Sequence, residues 1–182
     1  RATAGGVLCT SATALFGRSS PARLQIADEA PPPMQAIEDA TPLPYLPGLT
    51  PVFTQHFEYY FAQGGIPFSG SEERALGGYC RFADPPPRFD EEAVLAFVDA
   101  WPPPILPMLS EPCPVSTTMW SIDFLAEPLA VPGDAWWTYH SQAHGAAEGY
   151  ARETSRLWTP DGRLASRGVQ TTAVFDRGPT PA

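Results

Sequence analysis

Three polar side chains stand where water chemistry could be done. Asp99 falls in the last turn of a helical stripe, where the carbonyl end of the helix dipole disfavours a carboxylate by roughly 0.3–1 kcal/mol. It lies four residues after Leu95 and two before Trp101, at the stripe's edge. Both settings disfavour the charged form, which is how a carboxyl is tuned toward general-base work. The plain alternative is a solvated carboxylate beside the stripe. Thr118 shares strand parity with Trp120, Ile122 and Phe124, so its hydroxyl is expected on the more apolar face. There it needs a partner, and a backbone carbonyl is the commonplace one. Gln170 lies mid-strand near Gly168, a residue expected to bulge the strand and re-aim the amide; otherwise it is an exposed strand residue. A carboxylate, a hydroxyl and a primary amide on one spot can position and deprotonate a water without a covalent intermediate.

Other chemistries are excluded by what the chain lacks. It contains no Lys and no Asn, and all eleven cationic side chains are Arg, as codon usage in a GC-rich genome produces. A Schiff-base lysine, a phosphate-loop lysine, a Ser–Lys dyad and an N-glycosylation acceptor are therefore all absent. There is no Gly-x-Ser-x-Gly elbow. Cys9, Cys80 and Cys113 are widely spaced, form no Cys-x-x-Cys, and read as small buried hydrophobes rather than as zinc ligands or disulfides. His140 and His144 would share a helix face, but their segment reads as a strand, which puts them about 13 Å apart and too far to hold one metal. A net charge of −9 disfavours a nucleic-acid partner. No apolar run reaches the ~18 residues of a membrane span. Nothing points to secretion, so a reducing cytoplasm is expected.

The residues that must position this chemistry are punctuated by 23 prolines and 15 glycines in a chain of 182, short of low complexity. Val7–Phe16 reads as a strand, preceded by a Gly5-Gly6 turn whose other arm is missing. Ser19–Pro51 reads as a proline-rich linker lying over a surface. Val52–Phe61 and Gly77–Phe82 have strand composition. Asp90 is the expected N-cap of a helix with Glu91 and Glu92 in its first turn. Val94, Phe97, Val98 and Trp101 form its i, i+3, i+4, i+7 stripe, and Pro102-Pro103-Pro104 stops it. Four strands follow: Val115–Leu125, a loop at Glu127–Asp134, then Ala135–His144 turning at Gly145 into Glu148–Trp158. Thr159-Pro160-Asp161-Gly162 turns the chain into Arg163–Phe175. One helix packed across a long antiparallel meander is an α+β layout.

Residues 77–175 resemble the C-terminal half of the double hot-dog acyl-CoA thioesterases of the thioesterase II, medium-chain type. The resemblance is carried in order by Gly77-Gly78-Tyr79-Cys80-Arg81-Phe82, by Leu95-Ala96-Phe97-Val98-Asp99-Ala100-Trp101-Pro102, and by Ser116 to Phe124 with Pro128 after it. Leu157-Trp158-Thr159-Pro160-Asp161-Gly162-Arg163-Leu164-Ala165 and Gly168-Val169-Gln170 complete it. It implies a hot-dog fold, an antiparallel sheet wrapped round a central helix. Residues 1–17 would then be terminal strands of an incomplete first hot-dog, 18–51 the linker and 52–178 a complete second hot-dog. By motif position it implies that Asp99 accepts a proton while Thr118 and Gln170 orient a water toward a thioester carbonyl. The implied reaction is fatty acyl-CoA to free acid and CoA, with no metal or organic cofactor. Trp120 departs from the pattern, where some members carry a second acidic residue. The family's two-domain size implies a piece of a longer chain, and hot-dog sheet or helix faces imply a homo-oligomer. Arg152 and Arg156, which share a strand parity, are candidate CoA-phosphate contacts. The rival reading is a non-catalytic hot-dog module that binds an acyl chain or a subunit. A dehydratase on the same fold would want a helix His, and Asp90–Trp101 has none.

Overall fold

The helix forms where its stripe places it. In the computed structural model, which describes residues 1–18, 20, 21, 23–125 and 131–176, helix α1 runs Glu91–Ala100. The Asp90 carboxylate accepts from the Ala93 N–H at 3.2 Å, and Glu91 and Glu92 sit at the favourable end of the dipole. Phe97, Val98 and Trp101 are buried, and Val94 packs against them.

Among the described residues, strands β1 (Ala2–Ala4) and β2 (Val7–Thr10) pair only with each other. A seven-stranded sheet is built from β3 (Thr41–Pro42), β4 (Phe57–Gln63), β5 (Ala75–Phe82), β6 (Val115–Phe124), β7 (Trp137–Ala147), β8 (Tyr150–Trp158) and β9 (Leu164–Val174). Its order is β3-β4-β5-β7-β8-β9-β6, and every neighbouring pair is antiparallel. Helix α1 lies across one face, as the α+β reading expects. The Phe97 ring stands 4.4 Å from Phe82 and 5.3 Å from Trp137. Trp101 stacks on Tyr139 at 4.8 Å, and the Tyr59 hydroxyl donates to the Ala100 carbonyl at 3.2 Å, fixing the helix end. A Cβ on Gly78 would lie 1.9 Å from the Tyr60 carbonyl oxygen, so the approach of β4 to β5 requires glycine there. Among the described residues no helix is long and apolar enough to cross a membrane.

Several local readings change. The Gly5-Gly6 turn does have its other arm, which is β1. The strand after it stops at Thr10 rather than Phe16, where its pairing with β1 ends. The stretch 18–51 is more than linker: Ile37–Asp39 makes a 3-10 turn and β3 pairs with Tyr60 and Phe61 at the sheet edge, where proline is tolerated. Val52–His56 is a 3-10 turn rather than strand. Its Thr54 hydroxyl donates to the Pro51 carbonyl at 2.7 Å, and pairing begins only at Phe57. Strand β7 runs through Gly145, which sits at a bulge, and the chain turns at Glu148-Gly149, both with positive φ. The turn at 159–162 forms as expected, with Gly162 N–H on the Thr159 carbonyl at 2.9 Å. Ser19, Pro128 with most of the first half of the 127–134 loop, and residues 177 and 178 lie outside the described residues.

Phe97 is fully buried among rings, so Phe97→Ala should lower the unfolding free energy by about 3–5 kcal/mol. Urea denaturation checks this, and a loss under about 1 kcal/mol would contradict the central place given to that ring.

Candidate active site

Directly paired residues of neighbouring strands project to the same side of a sheet, so the register maps the helix-facing surface. One row crosses it as Trp120, Gln170, Glu153 and Ala143 on β6, β9, β8 and β7. The next reads Ile122, Gly168, Ser155 and Ser141, and on the other side Thr117, Thr172 and Ala151. Glu153, Ser155, Ser141 and Thr172 are all buried. This half of the inner face is polar, whereas the half under Phe97 and Trp101 is aromatic.

Gln170 is half-buried in that polar half, and its Nε2 donates to Thr117 Oγ1 at 2.5 Å. Alternation put Thr118 on this face, and the structure corrects that. A bulge between Thr117 and Met119 leaves Thr118 as the extra residue on β6, exposed, with its hydroxyl donating to the Thr171 carbonyl at 3.0 Å. Thr117, paired with buried Thr172, is the hydroxyl beside Gln170. Gly168 is not the bulge that was expected, since the β6–β9 register runs through it unbroken. Its place is one of clearance: a Cβ there would stand 2.5 Å from Ser155 Oγ and 3.2 Å from Trp120 Nε1. Asp99 lies on the opposite side of α1 from Phe97, exposed together with Leu95, so the burial expected at the stripe's edge is not found. The structure joins Gln170 to Thr117, and neither is hydrogen-bonded to Asp99.

Sequence reading missed Glu153. The residue is 3% exposed, its Oε2 has no hydrogen-bond partner, and burial alone pushes its carboxyl up to about 8. Neighbouring Tyr139 is raised by the same burial. The signal was present: Glu153 shares strand parity with Ala151, Ser155 and Leu157, all buried.

The outer face holds the cations. Glu29 Oε1 accepts from Arg156 Nε at 2.5 Å and from Arg167 at 3.2 Å, and its backbone carbonyl accepts from Trp158 Nε1 at 2.8 Å. Arg156, a candidate phosphate contact, is thus engaged by a carboxylate from the proline-rich stretch. Arg152 is exposed. His144 falls at the β7 bulge and bonds Thr154 Oγ1 at 2.8 Å. His140 stands between Gly77 and Arg156, its basicity lowered by burial and by that guanidinium. Cys80 is buried, with a thiol pushed up to about 12 by desolvation, but Cys9 is exposed on its short hairpin and Cys113 only half-buried, so the buried-hydrophobe reading holds for one of three.

A family model described as the acyl-CoA thioesterase C-terminal domain matches residues 27–174, starting inside the proline-rich stretch. Among solved structures, a conserved protein of unknown function with a hot-dog fold from Alicyclobacillus acidocaldarius is similar over 91% of this chain, with 22% identity and a TM-score of 0.66. An acyl-CoA thioesterase II from Mycobacterium marinum is similar over 87%, with 15% identity and a TM-score of 0.60. In each case the match spans 60% of the relative's own length. These likenesses establish the hot-dog fold. No curated protein matches the chain.

Glu153 gives a stability test with a definite sign. The folded state holds its proton up to about 8 whereas the unfolded chain releases it near 4.5, so folding stability falls as pH rises across that window. The upper bound of the loss is roughly 5 kcal/mol. Glu153→Gln should flatten the decline in Tm between pH 5 and pH 8.5, and parallel declines in the two proteins would remove Glu153 as its source.

Proposed function

The chain belongs to the acyl-CoA thioesterase C-terminal domain family, and from that premise we propose that it hydrolyses acyl-CoA thioesters to free acid and CoA. The observation that carries the reading is the hydrogen-bonded pair Gln170–Thr117 on adjacent strands of a hot-dog sheet, in a chain that also keeps Asp99 at the end of its helix. Asp99 accepts a proton from water, and the new hydroxide oxygen bonds to the thioester carbonyl carbon. We assign the holding of that water to the Gln170 amide and the Thr117 hydroxyl. Asp99, exposed on the far side of α1, meets them across the contact between two hot-dog folds, and backbone N–H groups stabilise the oxyanion. The C–S bond then breaks, and the proton taken by Asp99 leaves with the CoA thiol. We assign to Thr117 the hydroxyl role that alternation gave to Thr118, because the bulge turns Thr118 to a backbone carbonyl.

Asp99 is exposed, which fits a pocket completed by a second hot-dog fold, from further polypeptide or from another copy. Among the described residues Arg152 is the outer-face cation of β8 that stands outside the ion pairs and so is available to a CoA phosphate, since Arg156 is held by Glu29. The non-catalytic alternative predicts acyl-CoA affinity without turnover.

Thiol release is followed with acyl-CoAs of graded length. Asp99→Asn and Thr117→Ala should each lower kcat by about 100-fold or more, in line with loss of a general base or its positioned water. Both should keep wild-type circular dichroism, and Thr118→Ala should stay within about threefold of wild type. A wild-type protein that binds acyl-CoA but releases no thiol establishes the binding module instead. An Asp99→Asn variant of full activity takes Asp99 out of the mechanism.

A further inference from the structure

Gln170 bonds a partner that cannot fix its orientation. A hydroxyl both donates and accepts, so Thr117 is satisfied by either end of the amide. What selects the end must come from elsewhere in the row, and the residue paired with Gln170 on β8 is Glu153. Directly opposed residues have Cβ atoms about 4.5–5.5 Å apart, within reach of two long side chains. Glu153 is 3% exposed with Oε2 lacking a partner, and a buried polar atom left so carries its full desolvation cost.

We propose that Glu153 is a positioning residue, whose protonated carboxyl donates to Gln170 Oε1 and so presents Nε2 to Thr117 and to the hydrolytic water. This rests on the thioesterase reading for the water, though not for the coupling between the two side chains. As a neutral acid Glu153 is a donor and selects the carbonyl end of the amide. As a carboxylate it is acceptor-only and selects the N–H₂ end, turning the amide over.

Among the described residues, no second carboxyl or cation pairs with Glu153 across the neighbouring strands. From β7 the titratable group is Tyr139, kept neutral by burial. From β9 the facing residues are Gln170 and Thr172, and from β6 Trp120 and Thr117. The buried residues of α1 are Ala93, Phe97, Val98 and Ala100. Arg152, Arg156, Arg167 and His140 alternate to the other face. Burial with no ionic partner holds the carboxyl near 8, so the switch falls just above neutral pH.

The composition makes the test clean. With six Gln and no Asn, glutamine-labelled protein gives six side-chain N–H₂ pairs, and Gln170 is the pair missing from Gln170→Leu. Its shifts should follow one titration with a midpoint near 8 and stay flat in Glu153→Gln. In the same series, kcat of the wild type should fall about fivefold from pH 8 to pH 9 with KM unmoved, as one ionisation with a midpoint near 8 predicts. Glu153→Gln, a permanent donor, should lose that fall, and Glu153→Leu should be slow at every pH. A Gln170 signal that does not move with pH, or that moves equally in Glu153→Gln, overturns the coupling. If the signal titrates as stated but no acyl-CoA is cleaved, the coupling stands and the thioesterase reading fails.

Discussion

One ten-residue helix has to cover a seven-stranded sheet, and the rest of the structure follows from that mismatch. Ten helical residues span about 15 Å, whereas seven strands spaced about 4.8 Å apart are roughly 29 Å wide. The helix spends its apolar stripe on one part of the sheet. Phe97 and Trp101 meet Tyr59, Phe82, Trp137 and Tyr139 on β4, β5 and β7, and the Tyr59 hydroxyl pins the helix end to that part. On β8, β9 and β6 the core continues through Leu157, Ala165, Trp120 and Ile122. Between and beside these, inner positions carry Glu153, Ser155, Gln170, Thr172 and Thr117.

That choice is costly. Glu153 Oε2, Thr172 Oγ1, Ser166 Oγ and Trp120 Nε1 are buried without hydrogen-bond partners, and each such group costs on the order of 1–3 kcal/mol. A sheet selected for stability alone would fill these places with Val or Leu. Gly168 adds to the argument, since it offers no side chain at the point where Ser155 Oγ and Trp120 Nε1 approach. Polar atoms and open backbone spread over four adjacent rows of β6, β9 and β8 are what a site for a polar reactant needs. The aromatic part of the face supplies the rigidity on which that site depends.

The sequence made the helix and its stripe legible because period and capping agree: Asp90, the two glutamates and the triple proline all act locally. Strand existence was legible for the same reason, while strand edges were not. Pro51 sends Val52–His56 into a tight turn despite strand-like composition, and β7 outruns Gly145 because its partner β8 continues to Tyr150. Thr118 left the inner face for one reason. Parity counting assumes an unbroken strand, and a single bulge on β6 leaves Thr118 unpaired and sets Thr117 opposite Thr172. Glu29 was illegible, because its contact with Arg156 and Arg167 spans more than a hundred residues and obeys no period. Glu153 was open to the same alternation that placed Gln170, but acidic residues on strands are ordinarily read as solvent-facing.

That alternation also explains why a carboxyl, of all charged groups, occupies the inner row. Strand β8 reads Arg152, Glu153, Thr154, Ser155, Arg156, Leu157, so a one-residue slip would turn both guanidiniums inward and Leu157 out. A guanidinium keeps its charge at any accessible pH, and an unpaired buried charge costs several kcal/mol. A carboxyl escapes that penalty by keeping its proton. The slipped register is therefore closed to this strand by Arg152, Arg156 and Leu157, and the native one that sets Glu153 opposite Gln170 is least costly while Glu153 is neutral.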